Sequence, residues 1–351
     1  MYIVFYICFL FLLHSCATIV PPSGGEKDTS PPKILNATPL NRSINFKEDK
    51  IQINFNEYIQ VDKSNIIFFP PINPAPSIKV KGKSIILNFE TDLIDNTTYI
   101  VNFNNSIKDL NESNELNNFK FIFSTGSVLD SCVVKGSVLD LKSNKKINSA
   151  IVCLFEKINY SNFDSLIRVQ KPDYYVYCDQ FGEYKFTNLK DGEYTLLAFK
   201  DLNLNKKYDN IEKISMPIKL NVDSVHNHDI RLFTDNRFLE IDTLDCKNSL
   251  DKTNVGQLNF NFEKLDFNNK ILIGEILQND KVISCFNINT KFVKIDSLSV
   301  GVYNFRIFHD LNNNGNWDSG NIQELSEPEY IKYYNQDINI KKDWEIDVFI
   351  D

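Results

Sequence analysis

The sequence predicts an all-β protein of tandem antiparallel β-sandwiches, with no sizeable helical domain apart from a signal segment. Apolar and polar residues alternate along many short segments, as at Ile51, Ile53 and Phe55, which is typical of strands with one buried face. Clusters of Asn, Asp, Pro and Gly separate these segments, as turns separate strands. No segment repeats apolar residues at helical spacing over ten positions, which argues against long helices.

The composition is that of a folded, acidic protein. The chain has 351 residues, of which 42% are hydrophobic, and its net charge is −8. This apolar content is sufficient for two or three packed domains and excludes disorder throughout. Because Lys and Arg form no cluster or stripe, neither a nucleic-acid partner nor a basic membrane-binding face is expected.

The start of the chain carries a motif of its own. Residues 2–13 form an apolar run, too short to span a bilayer as a helix, that ends in Leu13-His14-Ser15-Cys16. This ending resembles a lipobox, where bacterial lipoprotein precursors are acylated and cleaved. The resemblance implies a signal peptide over residues 1–15 and a lipidated Cys16 whose acyl chains enter a membrane. The run lacks the usual Lys or Arg near its start, and a buried N-terminal strand is the alternative.

A tether and a first β-sandwich are expected next. Residues 16–32 hold Pro-Pro and Gly-Gly pairs with little apolar sequence, which predicts an extended tether. Residues 33–126 alternate with period two. The chain from residue 31 to 126 contains the segments PPKI, IQINFNEYI, NTTYIVNF and FIFSTG. These resemble an SbsA-type bacterial Ig-like domain, and with Cys16 and GGEKDT they resemble Bacteroidota lipoproteins carrying that domain. The resemblance implies a fold but no activity.

Residues 130–235 are predicted to form a second β-sandwich. They contain the segments GSVLD, AIVCL, DQFGEYKF and LKDGEY, which resemble the carboxypeptidase-regulatory or transthyretin-like sandwich. In that pattern Gly182 and Gly192 lie in turns and adopt backbone angles that other residues avoid. Tyr184 and Tyr194, which follow them, are expected to pack inward. This β-module also has no chemistry of its own.

Residues 237–351 are predicted to be a diverged repeat of the second sandwich. The segment GEYTLLAFKDLNLNKKYD, residues 192–209, aligns with GVYNFRIFHDLNNNGNWD, residues 301–318, with 8 of 18 residues identical. Repetition at a fixed offset indicates related structural units.

Each copy of the repeat continues into a loop with the pattern Asp-x-Asn-x-Asn-x-x-x-Asp. The candidate calcium ligands are Asp201, Asn203, Asn205, Asp209 and Glu212 in loop one, and Asp310, Asn312, Asn314 and Asp318 in loop two. Calcium binds about six to eight oxygens, which positions 1, 3, 5, 9 and 12 of such a loop supply around a tight turn. The spacing resembles EF-hand and dockerin-type loops, and no other cofactor is expected.

Each loop departs from that pattern at one position. Loop one places Lys206 where a glycine normally turns the chain, and loop two has Gly315 but only Asn321 at the twelfth position. The alternative is that Asp and Asn satisfy turn backbone as Asx motifs, with Tyr208 and Trp317 packed beneath. A bound calcium ion would make the loops rigid and would have no catalytic role.

Cysteine and histidine give weak signals. The cysteines beyond Cys16 are too scattered for a disulfide framework or a zinc site, so buried free thiols are expected, with a Cys153–Cys178 disulfide as the alternative. His226 and His228 could share a metal with Asp223, or lie on a solvated strand.

The sequence favours a structural or interaction protein over an enzyme. No nucleophile elbow, zinc-protease helix or phosphate-binding loop occurs. We expect a non-catalytic envelope scaffold, anchored by acyl chains in an outer membrane and facing the periplasm or cell surface, whose partner is another envelope protein or a polysaccharide. The alternative is a carbohydrate- or peptide-binding accessory lipoprotein of a polymer-uptake system, with aromatic runs such as Tyr174-Tyr175 as candidate platforms. An enzyme with scattered carboxylates is a third hypothesis.

Overall fold

A computed structural model describes residues 27–238, 254–265 and 270–350. The predicted all-β class is confirmed: strands form three successive groups, named here units one, two and three. The longest helix in the described residues is α1 (Phe163–Val169), and three 3-10 turns lie at Lys63–Asn65, Tyr160–Asn162 and Asn236–Phe238. Cys16, the signal segment and the first part of the predicted tether lie outside the described residues.

Unit one contains ten short strands. They are β1 (Ile34–Thr38), β2 (Lys50–Phe55), β3 (Ile59–Val61), β4 (Ile67–Phe69), β5 (Ser77–Lys81), β6 (Ser84–Asn88), β7 (Thr98–Asn102), β8 (Ile107–Asp109), β9 (Glu115–Leu116) and β10 (Lys120–Ser124). Three antiparallel sheets result, in the orders β1-β2-β6-β5, β10-β7-β4 and β3-β8-β9. The predicted alternation in β2 is confirmed, since Ile51, Ile53 and Phe55 are buried in the core of this unit.

Unit two contains nine strands in one sheet with a hydrophobic cluster on each face. They are β11 (Cys132–Asp140), β12 (Ile151–Phe155), β13 (Tyr174–Tyr177), β14 (Glu183–Leu189), β15 (Gly192–Phe199), β16 (Lys213–Ile214), β17 (Ile218–Val222), β18 (Val225–Asn227) and β19 (Ile230–Thr234). As predicted, Tyr184 and Tyr194 point inward, each 4% exposed, and Gly182 and Gly192 have positive φ.

Unit three contains seven strands in two sheets. They are β20 (Val255–Asn261), β21 (Leu272–Gln278), β22 (Lys281–Asn287), β23 (Phe292–Ser299), β24 (Gly301–His309), β25 (Ile331–Ile340) and β26 (Glu345–Phe349). The sheet orders are β23-β20-β26 and β22-β21-β24-β25. Leu258, Phe260 and Tyr303 lie at the centre of the core between them.

The strand pairing of unit three repeats that of unit two. In unit two, β11 pairs with β14 and β19. The strand β12 pairs with β13 and β15, and β15 pairs in turn with β17. In unit three, β20 pairs with β23 and β26, and β21 pairs with β22 and β24, which also pairs with β25. The first and last strands of units two and three pair in parallel, which departs from the purely antiparallel pairing that the sequence predicted.

Buried aromatic and aliphatic side chains join unit one to unit two. Phe69, Ile100 and Ile122 lie on one face of the sheet β10-β7-β4 and belong to the core cluster of unit two. The Phe69 ring stacks on Tyr174 at a centroid distance of 6.0 Å. The backbone that links the two units is also fixed to unit two, because the side-chain amide of Asn188 donates to the carbonyl of Asp130 at 2.9 Å.

An insert between loop two and β25 joins unit three to unit two. Residues 319–328, called the insert, place Ile322 in the core of unit two with no exposed surface. The N–H of Ile322 donates to Oδ2 of Asp235 at 3.2 Å, and Arg237 donates to Gln323 at 2.8 Å. Ser319 donates to the carbonyl of Thr234 at 2.5 Å.

A buried ion pair lies at the same junction. Arg306 is 2% exposed and contacts Glu275 through its Nε atom. Another guanidinium nitrogen donates to the carbonyl of Lys142, and the Tyr333 hydroxyl donates to the carbonyl of Leu141. Lys145 of the same connection also pairs with Asp280 at 2.5 Å, so unit three reaches the β11–β12 connection of unit two with three polar contacts.

The cysteines follow the expectation only in part. Cys132, Cys153 and Cys178 are buried free thiols, so the Cys153–Cys178 disulfide considered from the sequence is wrong. Cys285 is disulfide-bonded, so it departs from the expectation of free thiols.

Candidate functional site

Loop one follows β15 and is organised around Asp201, which is 4% exposed. Its two carboxylate oxygens accept the N–H groups of Asn205 and Lys206, each at 3.1 Å. Oδ1 of Asn203 also accepts the N–H of Asn205, at 3.0 Å. The side-chain amides of Asn203 and Asn205 donate to Oδ2 of Asp209 at 2.7 and 3.0 Å. These four predicted residues are therefore linked around one turn.

Glu212 closes loop one as the sequence spacing suggested. Its side chain is 1% exposed. Oε1 accepts the N–H of Leu202 at 2.7 Å, and Oε2 accepts the N–H of Asp209 at 2.9 Å. One carboxylate thus joins the first and last turns of the loop.

Loop two repeats this network residue by residue. The carboxylate of Asp310 accepts the N–H groups of Asn314 and Gly315 at 3.2 and 2.8 Å. The amides of Asn312 and Asn314 donate to Oδ2 of Asp318 at 2.6 and 2.8 Å. The predicted residues of loop two are therefore also brought together.

The carboxylate that closes loop two is Glu329, a residue that sequence analysis missed. Its Oε1 accepts the N–H of Leu311 at 2.6 Å and its Oε2 accepts the N–H of Asp318 at 3.0 Å, the same two bonds that Glu212 makes in loop one. Asn321, which the spacing places at the twelfth position, does not close the loop. Asn321 instead forms a β-bridge with Ser326 within the insert.

A fixed twelve-residue pattern cannot locate Glu329. Three positions separate Asp209 from Glu212, but eleven separate Asp318 from Glu329, because the insert intervenes. The available signal was the position of each glutamate relative to the next strand: Glu212 directly precedes β16, and Glu329 lies two residues before β25.

The sixth loop position has the same backbone in both copies despite different residues. Lys206 has φ +63° and Gly315 has φ +78°, so both are in the left-handed region that favours glycine. Lys206 therefore permits the turn, although the sequence pattern normally has a glycine at this position.

The closing glutamates are held in an electrostatically unfavourable environment. Burial is the largest cause that raises the pKa of Glu212 and of Glu329 above the usual value. The two aspartates of the same loop raise each pKa further, while the two backbone N–H donors lower it. Such a group of negative charges is stabilised by a cation.

In the described geometry, asparagine N–H groups satisfy the last aspartate of each loop. A cation at that place requires the two amides to turn and present their oxygens, which are the ligands that Ca²⁺ prefers. Among the residues that the structure describes, no group of three or more His, Cys, Asp or Glu side chains is already arranged to hold a metal ion.

The histidine pair considered from the sequence forms a local contact. His226 lies 3.0 Å from Oδ1 of Asp223, and its ring stacks on that of His228 at a centroid distance of 6.2 Å. The pair belongs to no larger ligand group among the described residues.

The aromatic residues mostly belong to cores. Tyr208 beneath loop one has no exposed surface, and Tyr174 is 5% exposed. Tyr175 and Trp317 are half-buried, and the Trp317 indole donates to the carbonyl of Glu329 at 2.9 Å. A large exposed aromatic platform does not form from these residues.

The comparison with protein families identifies part of the chain. Residues 28–125 match the family model of a bacterial Ig-like domain. The match covers unit one, confirms a bacterial Ig-like domain there, and starts a few residues before the predicted boundary at residue 33. No curated protein matches the chain.

The comparison with solved structures finds bacterial proteins at low similarity. The Bacillus anthracis TIE protein is 11% identical over 94% of this chain and 59% of that chain, with a TM-score of 0.20. The minor pilin GBS52 of Streptococcus agalactiae is 11% identical over 62% and 94%, with a TM-score of 0.22. A DUF3823 family protein from Bacteroides uniformis is 12% identical over 58% and 98%, with a TM-score of 0.21.

These TM-scores are too low to carry an argument, so the fold rests on the strands themselves. The chain spans only 59% of the TIE protein's length. The match to a bacterial Ig-like domain concerns unit one and indicates a non-enzymatic fold there, of a kind that suggests an extracellular or envelope protein. Within the described parts of the chain, no helix is both long and apolar enough to cross a membrane.

Proposed function

We propose that this protein is a lipid-anchored, non-catalytic scaffold of the bacterial cell envelope. In this proposal Cys16 carries the acyl chains, residues 17–32 are the tether, and the β-units over residues 33–126, 130–235 and 237–351 form a stack that presents surfaces to partners. The observation that carries the proposal is that buried side chains form both junctions between units.

Buried junctions favour a rigid spacer over a flexible string of beads. Removing a buried Phe or Ile side chain costs about 2–5 kcal/mol, so contacts such as those of Phe69 and Ile322 resist separation of the units. Contacts between units that are small and polar leave them free to move. A rigid stack holds its far end at a fixed distance from the membrane.

Lipid anchoring is tested by metabolic labelling. Cells fed radioactive palmitate should yield labelled protein in the membrane fraction. The variant Cys16→Ala should be unlabelled, whereas the matched variant Cys8→Ala, inside the predicted signal segment, should keep the label. Unlabelled wild-type protein in the cytosolic fraction would contradict the proposal.

The scaffold role is tested by purification from detergent-solubilised envelopes. A non-catalytic scaffold should co-purify with a defined envelope protein or polysaccharide, and the purified protein should not hydrolyse envelope polymers. Turnover of such a polymer would overturn the non-catalytic assignment.

We also propose that the two loops bind Ca²⁺ as a structural ion. Support comes from Glu329, because it supplies loop two with the closing carboxylate that its sequence pattern lacked. An oxygen that accepts one N–H has a second lone pair for a cation. Ca²⁺ at a hundredfold excess over its dissociation constant should stabilise the fold by about 2.7 kcal/mol per site.

The calcium proposal is tested by calorimetric titration of chelator-treated protein. Glu329→Gln should abolish binding at loop two and leave loop one intact. Glu327→Gln, an exposed position in the insert, should leave both sites unchanged. Wild-type protein that neither binds Ca²⁺ nor gains thermal stability from it would contradict the proposal.

A second candidate function is ligand binding by the junction of units one and two. The observation that favours it is a cleft at this junction, lined by half-buried Tyr175 together with polar side chains from both units. Clefts between domains are frequent sites for ligands.

A further inference from the structure

The cleft between units one and two has a volume of about 530 Å³, within the usual range of about 300–1,000 Å³ for ligand pockets. Unit one contributes the ends of β4, β7 and β10, and unit two contributes β13, β14 and loop one. The inference below rests on the second candidate function and is independent of lipid anchoring.

The strand register explains why this end of the junction is open and polar. Ile122, Ile100 and Phe69 lie side by side across β10, β7 and β4 and are sealed against unit two. Two residues further along the same three strands, the neighbouring residues on this face are Lys120, Asn102 and Ile67. The sheet face is therefore apolar where it is covered and carries a charge and an amide where it lines the cleft.

Three lysines from separate elements converge on the cleft: Lys120 on β10, Lys185 on β14 and Lys206 in loop one. None of them forms an ion pair with a carboxylate among the described residues; Lys206 lies over the Tyr175 ring at 5.1 Å instead. Burial, followed by the charge of Lys185, lowers the pKa of Lys120. An anion between these lysines relieves their repulsion.

The two acidic residues that line the cleft already have partners. The carboxylate of Asp179 accepts the N–H groups of Phe181 and Glu183, each at 2.9 Å. Glu183 forms an ion pair with Lys146 at 3.2 Å. The lysines therefore remain available, although the whole chain has a net charge of −8.

Amide side chains line the same cleft. The amides of Asn65 and Asn118 make no hydrogen bond with another described residue, and the side-chain nitrogen of Asn102 is also without an acceptor there. An amide offers a donor and an acceptor on one planar group, which suits neighbouring hydroxyl groups on one ligand.

We propose that this cleft binds an acidic saccharide, a chain of sugars that carries carboxylates. Lysines on three separate elements fit carboxylates spaced along a chain, and the free amides fit its hydroxyl groups. A compact phosphate is better matched by clustered backbone N–H groups or arginines. A peptide strand needs a free sheet edge to pair with, and this lining offers side chains.

The test is calorimetric titration of the full chain with an α-1,4-linked galacturonate tetramer at low salt. The methyl-esterified tetramer has the same shape without charge and is the control ligand. We expect binding of the acidic tetramer, at least roughly tenfold weaker binding of the ester, and loss of affinity as salt rises.

Variants locate the binding to the cleft. The double variant Lys120→Gln/Lys185→Gln should bind the tetramer at least roughly tenfold more weakly than wild type, since each charge-assisted hydrogen bond contributes about that much. Lys79→Gln/Lys81→Gln removes the same charge from β5, where both lysines are exposed, and should bind like wild type.

Other outcomes would overturn the proposal. These are no binding of the acidic tetramer, equal weakening by both double variants, or binding only of inorganic phosphate or of a carboxylate-bearing peptide. A distance measurement between units one and three tests the rigid scaffold separately, so failure of saccharide binding and failure of the scaffold are distinguishable.

Discussion

At the scale of single residues, Lys206 and Gly315 hold the same left-handed backbone with different side chains. A non-glycine residue in this region costs about 1–2 kcal/mol. Lys206 adopts this backbone in loop one despite the cost, whereas Gly315 adopts it in loop two without that cost. A Cβ added at Gly315 would meet no atom within 4 Å, so a substitution there reports backbone strain alone.

We predict that Gly315→Ala destabilises the protein by about 1 kcal/mol because of that strain. The reciprocal change, Lys206→Gly, should stabilise it by a similar or smaller amount, since the contact with Tyr175 is lost. Chemical denaturation measures both. Two changes of the same sign would show that the two loops do not share one backbone geometry.

The closing glutamates predict a pH dependence of the cation-free protein. Because their folded pKa values lie above the usual 4.5, the folded state holds these protons more tightly than the unfolded state. The contribution of these two glutamates to stability is therefore complete below pH 4.5 and is lost as pH rises through the folded pKa. Asp235 behaves oppositely: burial alone would raise its pKa, but bonds from Arg237 and Ile322 lower it, so its contribution is lost only below about pH 3.8.

The measurement is thermal unfolding between pH 4.5 and 8 in chelator. Wild type should lose stability across this range, and Glu212→Gln/Glu329→Gln should show a flatter profile. The exposed pair Glu324→Gln/Glu327→Gln should follow wild type. A wild-type profile as flat as that of the first double variant would be inconsistent with the raised pKa values.

At the scale of elements, the insert has two roles. It separates Asp318 from Glu329, and it places Ile322 in the core of unit two. The segment that hides the closing glutamate from a fixed spacing pattern is therefore also the contact between units. Order in loop two and order at the junction should depend on each other.

We predict that Ile322→Ala destabilises the junction by about 2–5 kcal/mol, the usual cost of removing a fully buried Ile side chain. Limited proteolysis should then cut within residues 319–328 faster than in wild type. Ile211→Ala is the matched control, because Ile211 is 79% exposed and its loss should change nothing. Unchanged proteolysis of Ile322→Ala would contradict the role of the insert.

The elements show how much local patterns can predict. Period-two alternation located β2 and β6, which have one face in a core and one outside, and also β7 and β10, whose second face packs against unit two. The repeat located both loops, because identical short-range bonds need identical spacing. Glu329 and the parallel strand pairs were missed because they depend on contacts between residues distant in sequence, which no local period encodes. The cleft was missed for the same reason, since Lys120 and Lys185 meet only when the units pack.

At the scale of the whole molecule, a rigid stack requires the three units to move together. Phe69 at one junction and Ile322 at the other are buried, and the ion pair of Arg306 and Glu275 adds a desolvated contact. Removing one partner of such a buried ion pair destabilises the protein by about 3–5 kcal/mol. The cleft exists only while units one and two stay packed.

We predict that Phe69→Ala loosens unit one from unit two, because the side chain is 7% exposed and contacts Tyr174 and Tyr175. The expected cost is about 3–5 kcal/mol, and small-angle X-ray scattering should record a larger radius of gyration. Phe292→Ala, at a position 61% exposed, should leave the radius unchanged. Scattering identical to wild type in Phe69→Ala would show that this contact does not hold the junction.

The most direct test of the rigid stack is a distance measurement by electron paramagnetic resonance. Spin labels at Lys81→Cys in unit one and Lys342→Cys in unit three occupy exposed positions, whereas Cys132, Cys153 and Cys178 are buried. The account predicts a single narrow distance distribution in the full-length protein. A broad distribution, as independent units on flexible linkers would give, would contradict it.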